Sequence, residues 1–137
     1  MAKNLRCSIV TPNEAVFEDD ITYASIPSWD GQMGVMLGQS PVLTKLGMGS
    51  LRLDLPEGGS RWFLLEGGFA QVQEDHLTLL TENATPADEL SASEAQAELA
   101  EANARVAQSG EDQARVERDQ QRALAKKWLT ESGAARG

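Results

Sequence analysis

Apolar and polar residues alternate one by one in short runs along the first part of the chain, and this period of two limits the possible folds most. In the run SLRLDL, Leu51, Leu53 and Leu55 share one face, while Arg52 and Asp54 lie on the opposite face. Alternation of this kind is typical of a β-strand with one side buried, because successive side chains point to opposite faces of a sheet. The pattern therefore predicts half-buried strands rather than helices.

Turn-forming segments separate these runs at short intervals. The segments are TPNE at 11–14, WDGQ at 29–32, PEGGS at 56–60 and QEDH at 73–76. Their glycine, proline, asparagine and aspartate residues favour tight turns, so the short spacing predicts β-hairpins. Since no helical segment intervenes, residues 1–86 are predicted to form a mainly β sandwich or barrel of short antiparallel strands.

The composition changes after TPADEL at 85–90 to Ala, Glu, Gln and Arg, which are strong helix formers. Ser91 and Glu94 match a capping box, in which each side chain satisfies a backbone N–H at the start of a helix. The apolar residues that follow at helical spacing are Ala95, Leu99, Ala102 and Val106. This narrow stripe predicts one amphipathic helix.

A second helix is predicted between an acidic start and a basic end. Glu111 and Asp112 suit the positive end of a helix dipole, and Lys126 and Lys127 suit the negative end. Gly110 is suited to the left-handed residue that follows the first helix. Because the break between the helices is short, residues 87–137 are predicted to form a C-terminal antiparallel α-helical hairpin.

The apolar residues of this predicted hairpin are mostly alanines. Its larger apolar residues are Leu99, Val106, Val116, Leu124, Trp128 and Leu129. Burying a leucine contributes roughly 1.5–3 kcal/mol, and burying an alanine contributes much less, so we expect weak docking. Two interpretations stay open: the hairpin is an ordinary cover over a sheet face, or it is an element that detaches.

The charge and the composition exclude several classes of protein. The formal charge of -9 argues against a nucleic-acid partner, because phosphates require a basic surface. No apolar run approaches the roughly 20 residues of a membrane-spanning helix, so no direct membrane insertion is expected. The start MAKNLRCSIV lacks the apolar segment of a signal peptide, and the single Cys7 agrees with a reducing compartment. We therefore expect a soluble cytosolic protein.

Residues that could carry catalysis or bind a metal are few and isolated. His76 is the single histidine, and it lies at a predicted turn with no cysteine cluster nearby. The acidic triplet at 18–20 lacks the alternating oxygen ligands of a calcium loop, and GMGS at 47–50 lacks the lysine of a phosphate loop. Cys7 lies on a predicted inward face and suits a core. We expect no catalytic residue, no metal site and no cofactor.

A glycine-rich stretch, DGQMGVMLGQSPVLT at 30–44, contains no hydroxyl group with a base beside it. Glycine permits positive φ and close approach of backbones, so this stretch is suited to a particular shape. VTPNEAVF at 10–17 precedes it, and WFLLEGGFAQVQEDHLTLLTENA at 62–84 follows it. This ordered set resembles the N-terminal domain of the epsilon subunit of F-type ATP synthase, whose two glycine motifs correspond to 30–35 and 38–44.

The resemblance implies a non-catalytic subunit of a rotary, proton-translocating ATP synthase that couples rotation to ATP synthesis. The implied partners are the gamma subunit, the ring of c subunits and, through the C-terminal helices, the alpha/beta catalytic head. The implied place is peripheral, on the cytoplasmic side of an energy-transducing membrane such as the bacterial inner membrane. Contact with the c-ring and gamma is expected at Asp30, Gly31, Gln32, Met33 and Gln39. The glycines alone fit a tight sandwich corner as well.

A second class of function stays open beside the motor subunit. The same arrangement of a sandwich and a helical hairpin could serve as a free-standing adaptor or binding module outside a motor. An enzyme is the least favoured class, because no activated nucleophile or base is found.

The sequence departs from the family at three places. The family has glutamate where this chain has Gln32 and histidine where it has Gln39, so contact at Gln32 would use amide hydrogen bonds instead of charge. Members that sense ATP carry a motif like IDxxRA on the first helix, whereas residues 90–95 read LSASEA. Glu94 stands where a cation would meet phosphate. We therefore expect no direct sensing of ATP.

Four basic residues of the predicted second helix are spaced three, four and four residues apart, which places them on one face. These residues, here called the basic stripe, are Arg115, Arg118, Arg122 and Lys126. On charge alone a solvated face fits, with pairs such as Asp119 and Arg122 contributing about 0.2–0.5 kcal/mol each. The resemblance implies instead that the helices can extend into the catalytic head. There the basic stripe would contact acidic loops of the beta subunits and inhibit ATP hydrolysis.

Overall fold

The computed structural model describes residues 4–105 and 110–131. Its strands precede its two α-helices, which confirms the predicted fold class. The strands are β1 (Leu5–Val10), β2 (Ala15–Ile21), β3 (Tyr23–Ser28), β4 (Gly31–Met36), β5 (Val42–Asp54), β6 (Ser60–Gln73), β7 (His76–Leu80) and β8 (Ala84–Pro86). A short 3-10 helix at Ala87–Glu89 leads to α1 (Ala92–Ala104) and α2 (Gly110–Glu131).

The strands form one hydrogen-bonded sheet in the order β2-β1-β7-β6-β5-β3-β4, with β8 paired to β6. The paired strands of the described chain are antiparallel except for β1 and β7, which run parallel with Cys7 opposite Leu77. The sequence predicts antiparallel strands throughout. Parallel strands require a long connection, so local alternation and turn residues contain no signal for this pair.

β5 and β6 are longer than the short strands that the sequence predicts, at 13 and 14 residues. Each strand bends midway. At the bend, the face of the strand that is turned toward the main core changes. In β6, Ala70 faces that core on one side of the bend, and Phe63 and Leu65 face it on the other side. Gly68 lies at the bend with a φ of 110°. A Cβ atom there would collide with the carbonyl oxygen of Leu80, so the bend requires glycine.

The bend divides the sheet into two layers. The first layer contains β2, β1, β7 and residues 69–73 and 42–46 of the two long strands, and the second layer contains their other halves with β3, β4 and β8. The core lies between the layers. Its fully buried large side chains include Leu5, Ile9, Ile21, Ile26, Leu51, Leu53, Phe63, Leu65, Leu77 and Leu79. The inward direction predicted for Cys7, Leu51 and Leu53 is confirmed.

α1 begins at the predicted cap. The Ser91 hydroxyl oxygen accepts a hydrogen bond from the backbone N–H of Glu94 at 3.4 Å. Ala95 and Ala102, two residues of the predicted apolar stripe, are buried. Val106, which the sequence places in the same stripe, lies outside the described residues.

α2 differs from the prediction at both ends. Gly110 is already helical in α2 and has no positive φ, so its predicted role as the left-handed residue after α1 is wrong. The helix also continues past Lys127 to Glu131. In this additional turn Leu129 is fully buried against Leu64 of β6. Tertiary packing therefore extends the helix beyond the point at which the basic residues predicted its end.

The two helices run antiparallel, which confirms the predicted hairpin. Lys126 Nζ lies 3.1 Å from the Glu98 carboxylate, and Arg105 Nη1 lies 2.7 Å from the Asp119 carboxylate farther along the pair. α2 packs on the outer face of β6 in the second layer. Its main apolar contact there is a small cluster of Leu64, Ala87 and Leu129, with Trp62, Leu90 and Ala125 partly buried beside it.

Candidate partner-binding surfaces

The outer face of the first layer carries a row of exposed apolar side chains. Phe69 of β6 pairs with Leu80 of β7, and both are about half-exposed. Leu43, on the neighbouring strand β5, lies on the same face and is 69% exposed. These three residues, Leu43, Phe69 and Leu80, are here called the outer apolar row. Exposed apolar groups that gather on one face indicate a site of association with another surface.

The outer apolar row is not among the predicted contact residues, although the sequence contains a signal for it. Val42 and Leu43 are adjacent, and so are Leu79 and Leu80. Successive residues of a strand point to opposite faces, so a doublet of large apolar residues must place one of them outside the core. Here Leu79 is fully buried and Leu80 is half-exposed.

A polar region adjoins the outer apolar row on the same face. Ser8 Oγ and His76 Nε2 lie 3.0 Å apart, at hydrogen-bond distance, and Thr78 and Gln71 are cross-strand neighbours. Among the described residues, no three His, Cys, Asp or Glu side chains converge as metal ligands. His76 of β7 thus lies at hydrogen-bond distance from Ser8 of the neighbouring strand β1.

The glycine-rich turn between β3 and β4 is open to solvent. The Asp30 carboxylate accepts a hydrogen bond from the Ser28 hydroxyl at 3.1 Å, which orients the turn. Gly31 has a φ of 131°, and a Cβ atom at this position would meet no other atom within 4 Å. The turn therefore presents backbone and one carboxylate that a partner can approach closely.

The next two predicted contact residues are already engaged within the sheet. The Gln32 side-chain amide donates hydrogen bonds to Ser25 Oγ at 2.9 Å and to the Ser50 carbonyl at 3.3 Å. Met33 is partly buried and packs against the main core. Asp30, Gly31 and Gln32 are all exposed, but the Gln32 amide is already hydrogen-bonded within the sheet.

Gln39 lies apart from the other four predicted contact residues. The full length of β4 separates it from Gly31, which at about 3.3 Å per residue is roughly 17 Å. Its N–H donates to the Met36 carbonyl at 3.2 Å, and the adjacent Gly38 N–H donates to the Asp75 carboxylate at 3.0 Å. The five residues therefore do not form one compact site.

The basic stripe on α2 divides into two halves. Arg115 and Arg118 are exposed. Arg122 lies between the Glu66 carboxylate of β6 at 3.4 Å and the Asp119 carboxylate at 3.2 Å, and Lys126 contacts Glu98 of α1 at 3.1 Å. The predicted pair of Asp119 and Arg122 is confirmed. Half of the stripe thus holds the hairpin together or onto the sheet.

A cleft of about 320 Å³ lies between the hairpin and β6, next to the first turn of α1. Four carboxylates line it, those of Glu66, Glu89, Glu94 and Glu98, together with Arg122 and Lys126. The two cations already contact Glu66 and Glu98. The lining is acidic overall, which disfavours a polyphosphate at the position where an ATP-sensing motif would lie.

Cys7 is fully enclosed by the main core. Burial disfavours the thiolate and raises the pKa of Cys7 from 9.0 to about 12, while the nearby charge of Arg6 acts in the opposite direction. A thiol of this kind stays protonated near neutral pH and is unreactive. No helix of the described chain is long and apolar enough to cross a membrane.

Comparison with known proteins identifies similar chains. The β-sandwich domain of the ATP synthase delta/epsilon chain matches residues 4–87. The ATP synthase epsilon chain of Rhodopirellula baltica is 40% identical over 99 residues, which span 72% of this chain and 77% of that protein. The ATP synthase epsilon chain of Nitratidesulfovibrio vulgaris strain DP4 is 34% identical over 128 residues, which span 92% of this chain and 95% of that protein.

Two solved assemblies contain chains of similar fold. One belongs to the Euglena gracilis mitochondrial ATP synthase in a cryo-EM structure of OSCP, F1 and the c-ring. With a TM-score of 0.83 and 20% identity, this likeness covers 91% of the present chain and 80% of that one. The other belongs to the central stalk and c-ring of the Tetrahymena thermophila mitochondrial ATP synthase, with a TM-score of 0.66, 11% identity and coverage of 93% and 97%. At these identities the likeness concerns the fold alone.

Proposed function

Because the chain belongs to the ATP synthase delta/epsilon chain family, we propose that it is a non-catalytic central-stalk subunit of a rotary, proton-translocating ATP synthase. In this role it couples rotation of the c-subunit ring to ATP synthesis in the catalytic head. Its place is peripheral, on the cytoplasmic side of the membrane that holds the ring. A free-standing adaptor is not favoured, since its relatives are epsilon chains of this machine.

The outer apolar row is the observation that carries this proposal, and we assign it to contact with the gamma subunit. Neither α-helix covers this face, because α2 packs on the second layer. Burying the exposed parts of Leu43, Phe69 and Leu80 would contribute roughly 3 kcal/mol to association. The polar residues beside the row supply hydrogen-bonding groups, as the rim of a protein interface does.

We assign the open turn at Asp30 and Gly31 to contact with the ring of c subunits. Gly31 lets another backbone approach closely, and the Asp30 carboxylate can accept hydrogen bonds from it. Gln32 and Met33 support the turn from within the sheet. Gln39 lies at the other end of β4, so any contact it makes involves a different part of the stalk.

We further propose that the hairpin inhibits ATP hydrolysis by leaving the sheet and entering the catalytic head. In the docked state Arg122 and Lys126 are paired with Glu66 and Glu98. In the extended state the whole basic stripe is free to contact acidic loops of the beta subunits. On release, the cations exchange carboxylate partners within the chain for carboxylate partners on the beta subunits. The docked and extended states therefore stay close in free energy, as a switch requires.

Association with gamma is tested by co-purification of the assembled stalk. Phe69→Glu, which places a charge in the outer apolar row, is expected to weaken binding to gamma about tenfold or more. Leu124→Glu is the matched control, because Leu124 is equally exposed but lies on α2. Equal binding by the two variants would contradict the assignment of this face.

Inhibition is tested by ATP hydrolysis of the assembled enzyme. Deletion of residues 88–137 is expected to raise hydrolysis several-fold and to leave coupling largely intact. The double variant Arg115→Ala/Arg118→Ala is expected to give part of this rise without altering docking, because both side chains are exposed in the docked state. If the deletion leaves hydrolysis unchanged, the hairpin is a passive cover.

A further inference from the structure

We propose that the contact between Trp62 and Trp128, here called the tryptophan latch, determines whether the helical hairpin stays docked on the sheet. Trp62 lies on β6 and Trp128 near the end of α2, with ring centroids 5.2 Å apart and ring planes at 52°. This spacing lies within the range in which aromatic pairs attract each other. The consequence for the assembled enzyme rests on the proposed inhibitory function, whereas docking is a property of the chain itself.

The sheet holds Trp62 in place through a cation on the neighbouring strand. Arg52, directly opposite Trp62 on β5, places its guanidinium carbon 6.0 Å from the Trp62 ring centroid and 5.5 Å from that of Tyr23. Arg52 Nε also lies 3.2 Å from the Asp54 carboxylate. Arg52 thus helps to orient the ring from within the sheet, which reduces the freedom that is lost when Trp128 docks on it.

The latch controls access to the small cluster beneath it. Trp128 is adjacent to Leu129, which is fully buried against Leu64 and Ala87. Trp128 itself remains 49% exposed, so it can separate from Trp62 without first opening this cluster. Separation of the two rings is thus the first step of release, and it exposes the edge of the Leu129 contact to water.

The latch is tested on the full-length chain by hydrogen–deuterium exchange. In Trp62→Ala we expect exchange of α2 amides to rise at least about tenfold, which corresponds to about 1.4 kcal/mol. Exchange in β1 and β7, which lie in the other layer, should not change. Trp62→Phe keeps an aromatic ring and should stay close to the parent chain. Trp29→Ala removes an exposed tryptophan outside the latch and should also have no effect.

Unchanged exchange of α2 in a folded Trp62→Ala chain would overturn the proposal. If that variant also raises exchange in β1 and β7, the sheet itself is damaged, and Trp128→Ala decides instead. Trp128 is half-exposed on a helix, so its removal leaves the sheet intact. Raised exchange confined to the hairpin supports the latch, and unchanged exchange rejects it.

Hydrolysis by the assembled enzyme separates this proposal from the inhibitory function on which it draws. If Trp128→Ala raises exchange of α2 but neither it nor deletion of 88–137 alters hydrolysis, the latch stands and the inhibitory role fails. If the deletion raises hydrolysis while Trp128→Ala leaves exchange unchanged, the inhibitory role stands and the latch fails.

Discussion

The sandwich and the docked helical hairpin differ in the number and size of the buried side chains that stabilise them. The core between the two layers consists of many fully buried aliphatic residues together with Phe63. The hairpin docks through a smaller cluster in which Leu64, Ala87 and Leu129 are the buried members. Since one buried leucine contributes roughly 1.5–3 kcal/mol, the first region sums many such contributions and the second only a few. The contrast indicates a stable scaffold with a hairpin that is weakly attached to it.

The largest loss of stability is expected from a substitution at the bend that creates the two layers. Gly68→Ala forces a Cβ atom against the Leu80 carbonyl at a φ of 110°. We expect the free energy of unfolding to fall by about 4 kcal/mol or more in urea denaturation. Gly58→Ala is the control, since its φ of 101° is also strained but the space around it is open, and it should cost about 1–3 kcal/mol. Equal losses of stability in the two variants would mean that the collision with the Leu80 carbonyl does not make glycine necessary at the bend.

Substitution in each apolar cluster tests the comparison directly. Phe63→Ala removes a fully buried ring from the main core and should lower the free energy of unfolding of the sheet by about 3–5 kcal/mol. Leu129→Ala should release the hairpin and leave unfolding of the sheet nearly unchanged. The two effects are separated by following β-sheet circular dichroism in urea alongside amide exchange of α2. Similar losses of sheet stability from both variants would show that the regions unfold as one unit.

Removal of the hairpin should cost the sandwich less than Phe63→Ala does. We predict that a fragment of residues 1–86 folds by itself, because the main core belongs to the strands. The fragment exposes Leu64, so its stability should fall by no more than roughly 1.5–3 kcal/mol. Circular dichroism and thermal melting measure this. Loss of a cooperative β transition would contradict the prediction.

At pH 10 a smaller effect, about 1.4 kcal/mol, is expected from pH, and it should concern the sandwich alone. Burial raises the pKa of Cys7 from 9.0 to about 12, so above pH 9 the unfolded chain loses a proton that the folded chain keeps. The stability of the sandwich should therefore fall as pH rises through this window, by up to about 1.4 kcal/mol per pH unit. Urea denaturation of the parent chain and of Cys7→Ala gives the difference. An identical pH slope in both would reject the assignment to Cys7.

No effect at all is expected from ATP on the isolated chain. Glu94 and three other carboxylates line the cleft at the start of α1, and Arg122 and Lys126 are already paired. Titration with millimolar MgATP in a calorimeter should therefore give no saturable heat. A dissociation constant in the micromolar range would show that the hairpin carries an ATP site after all.

Features set by neighbouring residues were predictable from the sequence. The alternation around Leu51 and Leu53 identified the core face, and the turn residues identified the hairpin connections. The cap at Ser91 was predictable because a hydroxyl group bonds a backbone N–H three residues away. Each of these depends on chemistry within a few residues of the chain.

Features that depend on distant partners were not predictable in the same way. The basic residues placed the end of α2 at Lys127, but the contacts of Trp128 and Leu129 with β6 extend the helix to Glu131. The predicted contact residues, which the motifs group together, are separated in space, since β4 lies between Gly31 and Gln39. In both cases the outcome depends on how the strands are arranged, which local patterns do not specify.

Leu64 and Leu80 illustrate the boundary between what the sequence determines and what the tertiary structure decides. Both belong to apolar runs in β-strands, and both point away from the core between the layers, which the alternation of a strand determines. Yet Leu64 is 0% exposed and Leu80 is 52% exposed. The difference arises because α2 packs on the second layer and leaves the first layer open. The sequence by itself determined the strands, the turns, the cap and the apolar character of both faces. Only the tertiary structure decided which face is covered by the hairpin and which stays exposed, because burial depends on the surface that packs against a residue.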